Sequence, residues 1–274
     1  YLSKIQLQFF LRFPSEEELQ LNLAQVLQGA VREEQLDKSY LDEAEKILRT
    51  LLDTTSDDER RCKVMESLVE YYAIELKDSR RALEMADRLP KMKYCREFVK
   101  SNYLRDENGV YYIQDEIDRL TDALGCALQH LMESDDEAGW DEKIHMVQAS
   151  TALYRMIYGD DLKFYHCRIS WNAWLLSICL IAQDKKEETL ASLEEMCRHA
   201  AAYDEAYVHE RGRRYSSPLV NRLIYPEISE EFHEWEEHSH CWYMLNRLKN
   251  ARYDGIRQEE RFTAVVEELK RYAR

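Results

Sequence analysis

Residues 81–90 read RALEMADRLP. Ala82, Ala86 and Leu89 stand four and three positions apart, so in a helix they share one face. Small residues on such a face let a second helix approach closely. Pro90 then stops the helix, because it has no N–H to give and its ring clashes with the turn before it. The spacing recurs. Ala44, Leu48 and Leu51 repeat it upstream, and Thr189, Leu193 and Met196 repeat it downstream. Each triplet follows a helix-like stretch and a short polar turn. From Ala44 to Ala82 is 38 positions, and from Ala82 to Thr189 is 107. The second step spans about three periods of a helix-turn-helix repeat of roughly 34–40 residues.

Composition points the same way. Of 274 residues 45% are hydrophobic, enough to bury a core, and only 7 are glycine and 4 proline. That scarcity argues against folds built on tight turns and against glycine-rich phosphate-binding loops. The prevalence of Leu, Glu, Ala, Lys and Arg predicts an all-α protein. The net charge of −15 repels phosphate backbones, so this segment does not itself grip nucleic acid. The RGRR run at 211–214 reads as a solvated loop. Seven cysteines without a CxxC pair fit reduced thiols and a cytoplasmic location. No apolar run approaches the roughly 18 residues of a membrane span.

Helices are expected at 15–32, 38–53, 56–76, 79–89, 91–103, 114–133, 141–158, 161–182, 185–203, 229–250 and 258–273. Ser15 with Glu18 and Ser56 with Glu59 have capping-box spacing. DENG at 106–109 signals a turn, and Tyr111, Tyr112 and Ile113 suggest a short extended piece. The stretch 204–228, with Gly212, Pro218 and Pro226, is the least regular.

The repeat resembles the tetratricopeptide repeat. Val69, Ala73, Ala82, Ala86 and Leu89 would fill five signature positions of one unit, and Leu176, Leu180, Thr189, Leu193 and Met196 those of another. Glu70 and Ser177 depart from the family's small residue on the first helix, and Pro90 comes earlier than the family's terminal proline. The resemblance implies an all-α, right-handed superhelix of stacked helical hairpins forming a single domain over 1–274. The last helix, with Phe262, Val265, Val266 and Leu269, would cap it. First-helix positions that line the family's concave groove fall here on Ser67, Tyr71 and Glu75 in one unit and on Trp171, Trp174 and Ile178 in another. Asn172 lies next to them and would bond a peptide backbone.

Three stretches carry a narrower resemblance. They are ALEMADRLPKMKYCREFVKSNYL (82–104), SSPLVNRL (216–223) and YDGIRQEERFTAVVEELKRY (253–272). They look like the C-terminal region of Xre-type helix-turn-helix bacterial transcription regulators. That likeness implies a sensor and dimerisation region, a homodimer, and a peptide or protein ligand in the concave groove. DNA would be bound only through a helix-turn-helix domain upstream of Tyr1. The alternative is a stand-alone tetratricopeptide-like scaffold for protein–protein interaction.

Chemistry-bearing motifs are few. HEWEEHSHC at 233–241 lacks the His-Glu-x-x-His spacing of a zinc protease, since His233 and His238 are five apart, about 140° around a helix. His233, Glu237 and His240 do share a face, with Cys241 nearby, and could hold a transition metal. The plainer reading is a polar face that sends Trp235 and Trp242 into the core. There is no G-x-S-x-G elbow and no Walker-type loop. Cys62, Cys95, Cys126 and Cys179 read as core residues. Neither catalysis nor a cofactor is expected.

Overall fold

The computed structural model describes residues 17–32, 37–91, 95–104, 108–210, 212–225 and 238–274. Among the described residues the regular elements are all helical, and the β-type pairing is a single isolated bridge between Arg214 and Ile224. The chain falls into two compact units, Tyr1–Tyr94 and Cys95–Arg274.

In the first unit, α1 (Glu17–Arg32), α2 (Ser39–Thr54), α3 (Asp58–Glu70) and α4 (Ser79–Ala86) each pack on the helix before them. The core holds Leu21, Leu27, Ala44, Leu48, Leu51, Leu68, Tyr71 and Tyr72. Each fully buried leucine contributes roughly 2 kcal/mol by leaving water. The cap of α3 is Asp57, whose carboxylate accepts the Arg60 N–H at 2.8 Å, in place of the expected Ser56. The helix then widens into a π-helical turn, Tyr71–Glu75. On α4 the buried face is Ala82 and Met85, with Ala86 and Leu89 half-buried beside it. The α-helix ends at Ala86 because Pro90 has no N–H for the Ala86 carbonyl; Leu89 bonds it at 3.0 Å in a tighter turn.

The second unit contains α5 (Arg96–Tyr103), α6 (Gly109–Ser134), α7 (Trp140–Tyr158), α8 (His166–Ala182), α9 (Lys186–His209), α10 (His240–Arg247) and α11 (Glu260–Tyr272). Short 3-10 turns precede α8 at Lys163–Tyr165 and α11 at Ala251–Ile256. Packing runs α5 to α6 to α7 to α8 to α9, and α9 also carries α10 and α11. The expected extended piece at 111–113 is instead helical, closing the first turn of α6. Asn108 ends the turn and accepts the Tyr112 N–H at 3.0 Å, and apolar residues recur at helical spacing beyond it. The expected irregular stretch 204–228 begins too early, because residues 204–209 are the last turns of α9, and 226–228 lie outside the described residues; Gly212 to Tyr225 is irregular. Its strands of loop exchange Gly212 N–H to Tyr225 O at 2.8 Å and Tyr225 N–H to Arg213 O at 2.9 Å. Gln114 of α6 anchors it, donating to Pro218 O and accepting from Arg222 N–H.

Two of the triplets lie wholly on buried helix faces, and in the third Leu89 falls in the turn after α4. Ala44, Leu48 and Leu51 are buried on α2, and Thr189, Leu193 and Met196 on α9. The turn register repeats as well. Lys77 and Asp184 both adopt left-handed backbone, φ 53° and 58°, each two positions before the first residue of the following helix and five before its buried small residue, Ala82 or Thr189. No helix among the described residues is long and apolar enough to cross a membrane.

Candidate functional site

Helix α8, HCRISWNAWLLSICLIA, is apolar nearly all round and lies between α7 and α9. Trp171, Trp174 and Ile178 are half-buried on one face of it, at the i, i+3, i+7 spacing. The two indoles meet edge to face, ring centroids 5.0 Å apart. Arg247, in the last turn of α10, lays its guanidinium 4.8 Å from each indole centroid. Cation–π attraction of this kind contributes about 0.5–1 kcal/mol at an exposed site and, more usefully, holds the planar donor fork in one place. Arg247 makes no ion pair with any described residue, and its side chain is exposed. The arrangement can take an anionic group against the guanidinium edge and an apolar side chain against the indoles.

Asn172 points the other way. It is fully buried, accepts a hydrogen bond from Gln129 Nε2 at 2.5 Å, and donates to Ser150 Oγ at 2.9 Å and Thr151 Oγ1 at 3.2 Å. Its amide is therefore spent on tying α6, α7 and α8 together. Ser67, Tyr71 and Glu75 belong to the first unit. Ser67 and Tyr71 are buried there, Ser67 accepting from Gln25 Nε2 at 3.2 Å. Burial raises the Tyr71 phenol to about 12. Glu75 is ion-paired with Arg32 at 2.9 Å.

Of the metal candidates, His233 and Glu237 lie outside the described residues. His240 is half-buried, its Nε2 is shut from solvent without a hydrogen-bond partner among the described residues, and desolvation lowers its pKa to about 4. Asp204 caps α10, accepting the N–H groups of His240 and Cys241 at 2.9 and 3.0 Å. Among the described residues no group of three or more His, Cys, Asp or Glu side chains could hold a metal ion.

The sequence reading missed a layer of tyrosines bonded to carboxylates. Tyr158 and Tyr165 both donate to Asp118, at 2.6 and 2.9 Å, with their rings stacked 4.0 Å apart. Tyr154 donates to Asp122, which also holds Arg168 through two bonds of 2.9 Å. Burial raises the Asp118 pKa despite its two phenol donors. Alongside, Lys163 is buried between Asp161 at 2.7 Å and Glu210 at 2.6 Å, at the wall of a cavity of about 260 Å³ that His166 also lines. The available signal was the i, i+4 spacing of Asp118 with Asp122 and of Tyr154 with Tyr158. Nothing in that spacing reveals that the two pairs meet.

No family model matches the chain, and neither a curated protein nor a solved structure does.

Proposed function

We propose that this chain is the sensor and dimerisation region of a helix-turn-helix transcription regulator, and that it takes a peptide or protein segment on the α8–α10 face. The observation that carries the ligand reading is Arg247, clamped by Trp171 and Trp174 and free of any ion pair with the described residues. A guanidinium held this way in a chain of net charge −15 is a local positive point suited to a carboxylate. Ile178 and the indoles supply apolar surface for the neighbouring side chain. The regulator half of the reading rests on the sequence resemblance in 82–104, 216–223 and 253–272.

In this reading the hairpins are tetratricopeptide-like and the protein is cytoplasmic, in keeping with seven free cysteines. Ligand binding shifts a population between two arrangements of the hairpins, and the DNA-binding domains follow. A scaffold without DNA binding would use the same face, and the product of the whole reading frame separates the two. Duplex binding supports the regulator, and its absence leaves the scaffold.

The ligand site is tested by panning a random-peptide display library on the protein and on Arg247→Ala. Acidic or carboxylate-ended peptides that bind the former and lose binding at least about tenfold in the latter support the assignment. Peptides that bind both equally, or no enrichment at all, overturn it.

A further inference from the structure

Helix α6 is amphipathic in an inverted sense. The residues it buries are polar or small: Gln114, Thr121, Gly125 and Gln129, with Met132 the one large apolar side chain. Its branched apolar residues face outward. Val110, Ile113, Leu120, Leu124 and Leu131 are 38 to 54% exposed, and Ala127 is exposed between them. With half-buried Ile117 these seven residues are spaced 3, 4, 3, 4, 3 and 4 apart. This is an unbroken heptad seam over three repeats, the pattern by which one helix docks lengthwise on another.

The helix cannot turn to bury the seam. Gln114 is bonded to the 218–222 loop, Asp118 to Tyr158 and Tyr165, Asp122 to Arg168, and Gln129 to Asn172. Rotation would break all of these and strand buried polar groups, at about 1–3 kcal/mol each. Gly125 adds a steric lock, because a Cβ there would fall 2.1 Å from the Tyr154 hydroxyl.

We infer that this seam is a homodimer interface, with the α6 of a second copy as its occupant. The size agrees. The exposed parts of the five large side chains amount to roughly 400 Å² of apolar surface, the scale at which a patch marks an interaction site. With its polar flanks such a seam approaches the about 800 Å² per partner of a standard interface. Every copy carries the same stripe, so a two-fold axis makes the surface self-complementary. An anionic membrane is a poor alternative occupant, because Glu116 flanks the seam beside Ile117 on a chain of net charge −15. The inference rests on α6 alone, and Arg247 and the ligand face are not part of it.

Sedimentation velocity on the purified chain tests it. The wild type is expected to sediment as a dimer, and Leu120→Glu with Leu124→Glu as a monomer with unchanged circular dichroism. Burying two charges per copy should weaken association at least about a hundredfold. Leu120→Ser with Leu131→Ser, which adds no charge, covers the case in which the glutamates impair folding. Leu83→Glu, on α4 and 65% exposed, should leave the dimer intact. A monomeric wild type at tens of micromolar, a folded seam variant that stays dimeric, or a Leu83→Glu variant that dissociates equally would overturn the assignment.

Discussion

His166 and His199 meet ring to ring across α8 and α9, Nδ1 to Nδ1 at 2.8 Å. One nitrogen must donate and the other accept, so the pair is compatible with neutral rings and not with two imidazoliums. Desolvation is the main cause that holds both pKa values below the ordinary one. Arg155 and Arg198 press in the same direction, and Glu210 and Asp161 oppose them at His166. Glu195, 3.8 Å from His199 Nε2, completes the charged surroundings.

The sign of the pH dependence follows. The unfolded chain protonates these rings near pH 6.5, and the native chain resists. Below that pH the unfolded state binds more protons, so stability falls as pH falls. Half-buried His240, whose desolvated ring has a pKa near 4, adds to the same slope. The melting temperature should therefore decline between pH 7 and pH 4.5, and His199→Gln should make the decline shallower. Equal slopes for the two proteins would show that the pair titrates normally.

The buried amide at Asn172 makes a second prediction. Asn172→Ala leaves the Gln129 amide without its acceptor in a buried site, and it should cost about 2–4 kcal/mol in urea unfolding. Gly125→Ala should cost a similar amount, since Tyr154 is itself fully buried and cannot yield to a Cβ. Asn172→Ser that unfolds like the wild type would mean that the network carries little of the stability.

Helical periodicity is a local property, and for that reason the all-α class was legible. Ala44, Leu48 and Leu51 share one face because 3.6 residues make a turn, and that face is buried. The stripe Trp171, Trp174, Ile178 came instead from the tetratricopeptide resemblance, whose groove positions fall on it. Arg247, which completes it, was not legible, because it comes from another helix far along the chain. Asn172 was misplaced among groove residues for a related reason. With apolar side chains on every side of α8, periodicity cannot say which face is inward. The outward heptad of α6 inverts the usual rule, and only Gln114, Asp118 and Gln129 finding partners on other segments explains it.

Arg247 itself should matter little to stability. It is exposed and contributes through two ring contacts, so Arg247→Ala should lower stability by less than about 1 kcal/mol. The Trp171 and Trp174 fluorescence should nevertheless shift, because the cation over both rings is gone. A loss of several kcal/mol would assign Arg247 to the core and remove the argument that it is held for a ligand. By contrast, Tyr71→Ala should cost about 3–5 kcal/mol, since it empties a buried site in the first unit.

The two left-handed turns allow a direct test of the repeat. Lys77 and Asp184 occupy equivalent positions before α4 and α9, at φ 53° and 58°. A lysine in this region strains its Cβ against the backbone, whereas an aspartate is better tolerated there. Lys77→Gly should therefore stabilise the protein by about 0.5–1 kcal/mol, and Asp184→Gly by only a few tenths. Valine at either position should destabilise it by about 1–2 kcal/mol, because a β-branched side chain fits this backbone worst. Urea unfolding of the four variants side by side reads the result. If valine is harmful at one position and harmless at the other, the two hairpins do not share a turn. The alignment of Ala82 with Thr189 would then be a coincidence of spacing.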